Sequence, residues 1–356
     1  MKRITFIIGG MTRGGAERVI SNLANEYSSK GCKVDIILLL NNKIEYDLNS
    51  NIELFDLSKN RKYRMLNIFH WIRGIRKYIT SNSPDIIISF VARINILALL
   101  SSIGLSKKII ISERNDPNKD GRSFIVKILT KILYPMANAI VFQTQKAKKC
   151  FSEKIQKKGI IISNPILISQ EASNIKSKKI VNVGRLSKQK NQRMLIDAFI
   201  EAVGQDEKYQ LFIYGEGELR SYLEEYIIYN GMQDRIFLPG NIKDIHQEIS
   251  DAEIFVLSSD YEGLSNALLE AMCMGITCIS TKCAGAEEYI IDGENGILID
   301  INNKQQLIDK IKFLIKNPET SKAIAKQGMK CKEVCSSKVV FEKWDKLIEE
   351  LVNDYE

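Results

Sequence analysis

Histidine is nearly missing, since His70 and His246 are the only two in 356 residues. That excludes a His-built metal centre and leaves a Ser-His-Asp triad improbable. Cysteine occurs in an odd number, seven, and Cys273, Cys278, Cys283, Cys331 and Cys335 show no Cys-x-x-Cys spacing, so neither a full disulfide set nor a structural zinc is expected. Such usage suits a reducing cytoplasm. Long apolar runs are also lacking. Residues 94–105 are too few to span a bilayer, and Met1–Gly10 has a five-residue apolar core before its glycines, so neither a membrane span nor a signal peptide is expected. The G-x-G-x-x-G fingerprint is met neither at Gly9–Gly15 nor at Gly215-Glu216-Gly217, which removes support for a nicotinamide cofactor.

What is present is an ordinary globular composition, 45% hydrophobic and 26% charged, in a length that suits two domains. The charge is divided unevenly. Residues 1–170 carry 28 Lys+Arg against 12 Asp+Glu, a net +16, and the remainder carries 23 against 31, a net −8. A basic half can meet a phosphorylated substrate, an anionic membrane or nucleic acid. No helix-turn-helix, RNP or finger pattern accompanies the charge, so nucleic acid is not an expected partner.

Short apolar runs alternate with amphipathic stretches of helical length, the rhythm of βαβ units. Strands are expected at 4–8, 34–39, 86–89, 108–112, 139–142 and 160–162, and again at 180–183, 210–214, 236–238, 254–257, 277–280 and 297–299. Between the sets, 163–179 is polar, holds Asn164-Pro165 and has no helical period, which marks a linker. The expectation is an α/β protein of two Rossmann-like, doubly wound domains facing a central cleft, divided as 1–165 and 166–338. A terminal helix, 339–356 with Trp344, would pack back towards the first domain.

Parallel sheets bind ligands at the carboxyl ends of their strands, and four such loops are unusual here. The first, Gly9–Arg18, includes Arg13, Gly14 and Gly15 and opens a helix, where backbone N–H groups favour an anion. In the second, Arg185 and Lys190 flank a short turn and could clamp a diphosphate. The third runs from Ser258 to Met272. Gly263 there permits close backbone approach, Ser265 or Asn266 caps a helix ending at Gly275, and Glu262 and Glu270 are paired acceptors suited to the vicinal hydroxyls of a sugar and a ribose. The fourth, Glu113-Arg114-Asn115, follows a strand of the basic domain and would face the cleft. Each loop also has a plain reading as a turn or a solvated segment. Only their combination is specific.

Together these residues resemble the retaining family 4 glycosyltransferases of GT-B fold, over nearly the whole chain. Glu262 and Glu270 look like the family's E-x7-E motif, Gly184-Arg185-Leu186 with Lys190-Asn191 like its diphosphate-clamping turn, and Gly14–Arg18 like its amino-terminal glycine loop. Phe237-Leu238-Pro239-Gly240 is similar to its base-side loop, and Gly285-Ala286-Glu287-Glu288 to a further helix-capping segment. The resemblance implies sugar transfer from a nucleotide-diphosphate donor, a UDP-sugar by expectation, with retained configuration and neither metal nor cofactor. It makes Arg185, Lys190 and Glu262 the catalytic set. Donor contacts fall to Gly15, Leu238, Gly263, Leu264, Ser265, Asn266 and Glu270, and the acceptor side to Arg13, Glu113, Arg114 and Asn115. One departure is Arg114, where many relatives carry a His on the donor sugar.

The resemblance further implies a glycan acceptor linked to a lipid diphosphate, as in surface-polysaccharide synthesis. Residues 61–80 interleave Arg61, Lys62, Arg64, Arg73, Arg76 and Lys77 with Tyr63, Phe69, Trp71 and Tyr78, a pattern suited to peripheral docking at the anionic inner face of the cell membrane. A nucleotide-sugar epimerase of the same fold, or a non-catalytic nucleotide-sugar-binding protein, are the alternatives.

Overall fold

The computed structural model describes residues 2–12, 14–58, 64–174, 176–203, 206, 208–283 and 285–353, with the side chains of 64–66 excluded. Arg13, Arg61, Lys62 and Tyr63, all singled out above, lie outside the described residues. The chain divides into two compact units, one of residues 1–165 with 338–356 and the other of 166–337.

The first unit is built on a parallel sheet of seven strands in the order β3-β2-β1-β4-β5-β6-β7. These are β1 (Arg3–Ile8), β2 (Lys33–Leu38), β3 (Glu53–Asp56), β4 (Ile86–Phe90), β5 (Lys108–Ser112), β6 (Ala139–Phe142) and β7 (Gly159–Ile161). Ile, Val and Phe dominate the inner strands because β-branched and aromatic side chains suit a sheet covered on both faces. One core layer joins Phe6, Ile88 and Val141 to helix Gly15–Ser29 and to the terminal helix Ser337–Asn353, whose Trp344 is fully buried. The other joins Ile87, Ile111 and Phe142 to helices Arg64–Asn82 and Ala92–Ser102. Strand β3 is not among the strands expected from sequence. It is a largely exposed edge, Glu-Leu-Phe-Asp, with no β-branched residue to announce it, and Lys33 pairs with its Glu53 at 3.1 Å.

The second unit carries six parallel strands in the order β10-β9-β8-β11-β12-β13. They are β8 (Lys179–Val183), β9 (Gln210–Tyr214), β10 (Ile236–Gly240), β11 (Ile254–Leu257), β12 (Thr277–Thr281) and β13 (Ile297–Ile299). After β10 the chain returns past β8 to lay down β11, so β8 and β11 are neighbours at a topological switch point. Helices Gln192–Val203, Lys304–Lys316 and Pro318–Gly328 cover one face. Helix Asn266–Met274 covers the other, with all of Leu268–Met274 buried.

Candidate active site

Loops leaving adjacent strands at a switch point diverge and open a crevice at the sheet's carboxyl edge. In the second unit these are the loops after β8 and β11, and hydrogen bonds stitch them together. Asp260 N–H donates to Gln189 O at 2.9 Å, Gln189 Nε2 to Tyr261 O at 2.8 Å, and Ser258 Oγ to Lys190 O at 2.8 Å. Asn191 sits in the left-handed region at φ 48°, which its short amide tolerates, and binds Asp260 Oδ1 at 2.9 Å.

The two loops bring Lys190 and Glu262 into an ion pair, although 72 residues separate them. Glu262 is 9% exposed and also accepts from Ser259 Oγ at 2.9 Å. Its charge has a neighbour: burial and then the Glu262 carboxylate push the Cys283 thiol up to about 11. Arg185 stands on the same loop as Lys190 but points outward, and among the described residues it holds no ion pair.

Glycines hold this edge together. A Cβ at Gly285 would lie 2.3 Å from Gly263 O, and one at Gly215 would lie 2.1 Å from Gly184 O, with φ at +134° besides. Gly215 and Gly217 therefore let the loop after β9 press on the Arg185 loop, where Leu186 N–H donates to Glu216 O at 3.0 Å. Their spacing reflects this close approach and not a dinucleotide fingerprint. Gly263, Leu264 and Ser265 are buried at the start of the following helix, and Ser265 is its cap, accepting from Leu268 N–H at 3.3 Å. Asn266 is its first residue, half-buried, and Gly275 ends it at φ 88°.

Glu270 lies one turn into that helix, 3% exposed, with its Oε2 3.4 Å from His246 Nε2. Sequence reasoning passed over His246. Its Nδ1 accepts from Ser169 N–H at 3.2 Å, which leaves Nε2 on the side of the carboxylate. The signal was slight, because a single His in a short helix, Ile245–Ile249, has no motif around it. Leu238 lies in β10, where its carbonyl accepts from Arg220 Nη2 at 2.9 Å.

In the first unit Gly15 opens helix Gly15–Ser29, capped by Gly14. Glu113 turns inward: it is 2% exposed, Tyr134 Oη–H donates to one carboxylate oxygen and Arg122 Nη2 to the other at 2.9 Å. Burial raises its pKa. Arg114 stacks over the Phe90 ring at 4.4 Å and donates through Nη1 to Asn164 Oδ1 at 2.8 Å, while its shielded Nε and Nη2 have no partner. Asn115 caps its own turn by accepting from Asp116 N–H at 3.0 Å. Val91, which the sequence did not mark, follows β4 at this sheet's switch point and precedes helix Ala92–Ser102 with φ at 76°, a costly conformation for a β-branched residue.

The basic segment divides differently from its sequence pattern. Arg73, Arg76 and Lys77 are exposed, but Tyr78 is buried and Trp71 donates inward to Leu57 O at 3.2 Å, leaving Phe69 outward. Arg76 also donates to the backbone carbonyls of Ser101 and Ile103. A more apolar face lies on helix Phe124–Leu133, where Phe124, Ile125, Ile128 and Ile132 are 76%, 67%, 40% and 63% exposed beside exposed Lys127 and Lys131.

Two such parallel sheets, each with a switch point, are the GT-B fold. The Glycosyltransferase Family 4 model matches residues 13–169 and the Glycosyl transferases group 1 model matches 164–330. The chain belongs to the family 4 glycosyltransferases of GT-B fold. It is 27% identical to the Campylobacter jejuni GalNAc-alpha-(1->4)-GalNAc-alpha-(1->3)-diNAcBac-PP-undecaprenol alpha-1,4-N-acetyl-D-galactosaminyltransferase, over 99% of this chain and 100% of that one. It is 28% identical to the N-acetylgalactosamine-N,N'-diacetylbacillosaminyl-diphospho-undecaprenol 4-alpha-N-acetylgalactosaminyltransferase of the same organism, over 91% and 93% respectively. Anabaena Alr3699/HepE, crystallised in complex with UDP, superposes with a TM-score of 0.83 at 17% identity, covering 98% of this chain and all of that one.

Proposed function

We propose that this glycosyltransferase moves a hexosyl or N-acetylhexosaminyl unit from a UDP-sugar to a hydroxyl of a glycan carried on a lipid diphosphate. Configuration is retained, and no metal takes part in the transfer. The observation that carries the reading is the Lys190–Glu262 pair, held where the β8 and β11 loops meet beside the start of a helix. The two relatives named for diphospho-undecaprenol substrates support the acceptor class, and the UDP-bound neighbour supports the donor.

On donor binding, Lys190 exchanges the Glu262 carboxylate for oxygens of the diphosphate, and Glu262 turns to the sugar hydroxyls. Arg185, the N–H groups of Leu264 and Ser265 and the Asn266 amide complete the cradle for charge that grows as UDP leaves. Gly263 keeps the backbone close. Glu270 takes the ribose hydroxyls with His246 beside its carboxylate, and Leu238 borders the base. The acceptor oxygen bonds to the anomeric carbon on the face that UDP vacates, and its proton passes to the leaving phosphate. No paired acid and base of the glycosidase kind is needed.

On the acceptor side, Arg114 offers Nε and Nη2 to an anionic or hydroxylic group once these shielded donors are uncovered, with Asn115 next to it in sequence. Glu113 orients Arg122 and Tyr134. The basic first half docks at the anionic inner face of the cell membrane through helix Phe124–Leu133, whose outward Phe and Ile residues insert while Lys127 and Lys131 meet lipid phosphates.

The test is incubation with a panel of UDP-sugars and a polyprenyl-diphosphate glycan, with products identified by mass and their anomeric configuration by NMR. A product of inverted configuration, or a strict dependence of transfer on added Mg2+ or Mn2+, would overturn the mechanism. Conversion of the donor with no acceptor present would favour an epimerase.

A further inference from the structure

We propose that Cys273, Cys331 and Cys335 form a site for one thiophilic divalent cation, Zn2+ being the type, held by three thiolates with a fourth position open to an adjoining cavity. This inference does not rest on the glycosyl-transfer reading. All three sulfurs are buried and lie within 4.8 Å of one another. Cys273 Sγ is 2.8 Å from that of Cys331 and 3.4 Å from that of Cys335. They come from two elements: Cys273 from helix Asn266–Met274, and Cys331 and Cys335 from one helical turn of the segment that follows helix Pro318–Gly328.

With Zn–S bonds of about 2.3 Å, two sulfurs on one ion lie at most about 4.6 Å apart and near 3.8 Å when the geometry is tetrahedral. The separations of 2.8 and 3.4 Å are shorter than the tetrahedral value, so the sulfurs spread by about 0.4–1 Å to receive the ion, a shift that side-chain rotation supplies. Thiols by themselves offer one another only weak hydrogen bonds, so neutral packing explains three converging sulfurs poorly. A disulfide would use two of them and leave the third. A single cation uses all three.

The cavity supplies access. It measures about 300 Å3 and is lined by Cys273 together with Ser169, Gln170, Glu171, Lys332 and Ser336. Its polar lining can provide the fourth ligand, a water or the Glu171 carboxylate. Binding breaks three S–H bonds, releases three protons to solvent and forms three Zn–S bonds, leaving one net negative charge at the centre. Lys332, paired with Glu171 at 2.5 Å, offsets that charge. The bound ion would tie the Cys331–Cys335 segment to the underside of the helix that carries Ser265, Asn266 and Glu270.

The experiment uses the full chain, reduced and stripped with chelator, then titrated with Zn2+ and separately with Co2+. One equivalent of Zn2+ should survive gel filtration and raise Tm, and Co2+ should give a thiolate-to-metal charge-transfer band. Cys331→Ser and Cys335→Ser should each lower Zn2+ affinity by more than about 100-fold, beyond the loss expected for an outer partner of a ligand. Cys150→Ser should leave it unchanged. Absence of uptake and of the Co2+ band in wild type overturns the proposal without recourse to a variant that fails to fold. So does unchanged affinity in folded serine variants, or a Cys273–Cys331 disulfide whose reduction yields no metal binding.

Discussion

Lys190 and Glu262 illustrate how a single ion pair at a sheet edge can be poised for exchange. Both are partly shielded, with side-chain exposures of 16% and 11%, so their attraction is screened less than that of a surface pair. An arriving diphosphate competes for the ammonium and carries more charge than one carboxylate. Lys190→Ala should therefore lower kcat by about 100-fold or more while changing donor Kd much less, because leaving-group charge peaks in the transition state. Near-normal turnover would place the clamp elsewhere. A second residue-scale prediction concerns Glu113. Its folded pKa is raised by burial, so between the unfolded carboxylate range and that raised value the native state holds a proton that the unfolded chain has lost. Its contribution to stability is complete below the unfolded pKa and declines as pH rises through the folded one. Wild type should lose stability relative to Glu113→Gln as pH rises through that window, read from urea midpoints at several pH values. A constant difference between the two would contradict the assignment.

At the scale of elements, the loops are positioned by backbone approach as much as by side chains. Gly285→Ala inserts a methyl group 2.3 Å from Gly263 O, and neither a Cβ nor a backbone oxygen can rotate away. The substitution should cost about 1–3 kcal/mol and weaken UDP binding together with it, checked by thermal unfolding and by calorimetry with UDP. Helix Phe124–Leu133 follows the opposite logic. Its Val126 and Leu129 pack inward, whereas Ile125 and Ile132 bury little. Ile125→Asp with Ile132→Asp should leave Tm nearly unchanged and abolish sedimentation with anionic vesicles, whose capture of wild type should also fall as salt rises. Vesicle binding that survives both substitutions would move the docking face elsewhere.

For the whole molecule, the path of the chain matters. Residues 338–356 leave the second unit and join the first, where Trp344 stacks on Phe90 with ring centroids 6.3 Å apart. Trp344→Ala should cost about 3–5 kcal/mol from the lost burial and the cavity left behind. Calorimetry should show the transition of the first unit lowered while that of the second is held. Loss of both together would mean that the units unfold as one.

The sequence by itself determined the two parallel sheets and most of their strands, since β-branched runs at regular spacing admit few other structures. It also marked Lys190, Glu262, Ser265 and Glu270, because each stands next to a strand end or helix start where composition is telling. Edge strand β3 escaped it, lacking any apolar alternation. Tertiary structure alone decided which loop residues meet. It closed the 72-residue separation between Lys190 and Glu262, set His246 against Glu270 and turned Glu113 and Tyr78 inward. It also drew Cys273 to Cys331 and Cys335 across about sixty residues with no ligand-spacing motif. The physical reason is common to all of these. Hydrophobic periodicity specifies which face of an element is buried, but the partner that waits there is chosen by the order in which the strands are laid into the sheet.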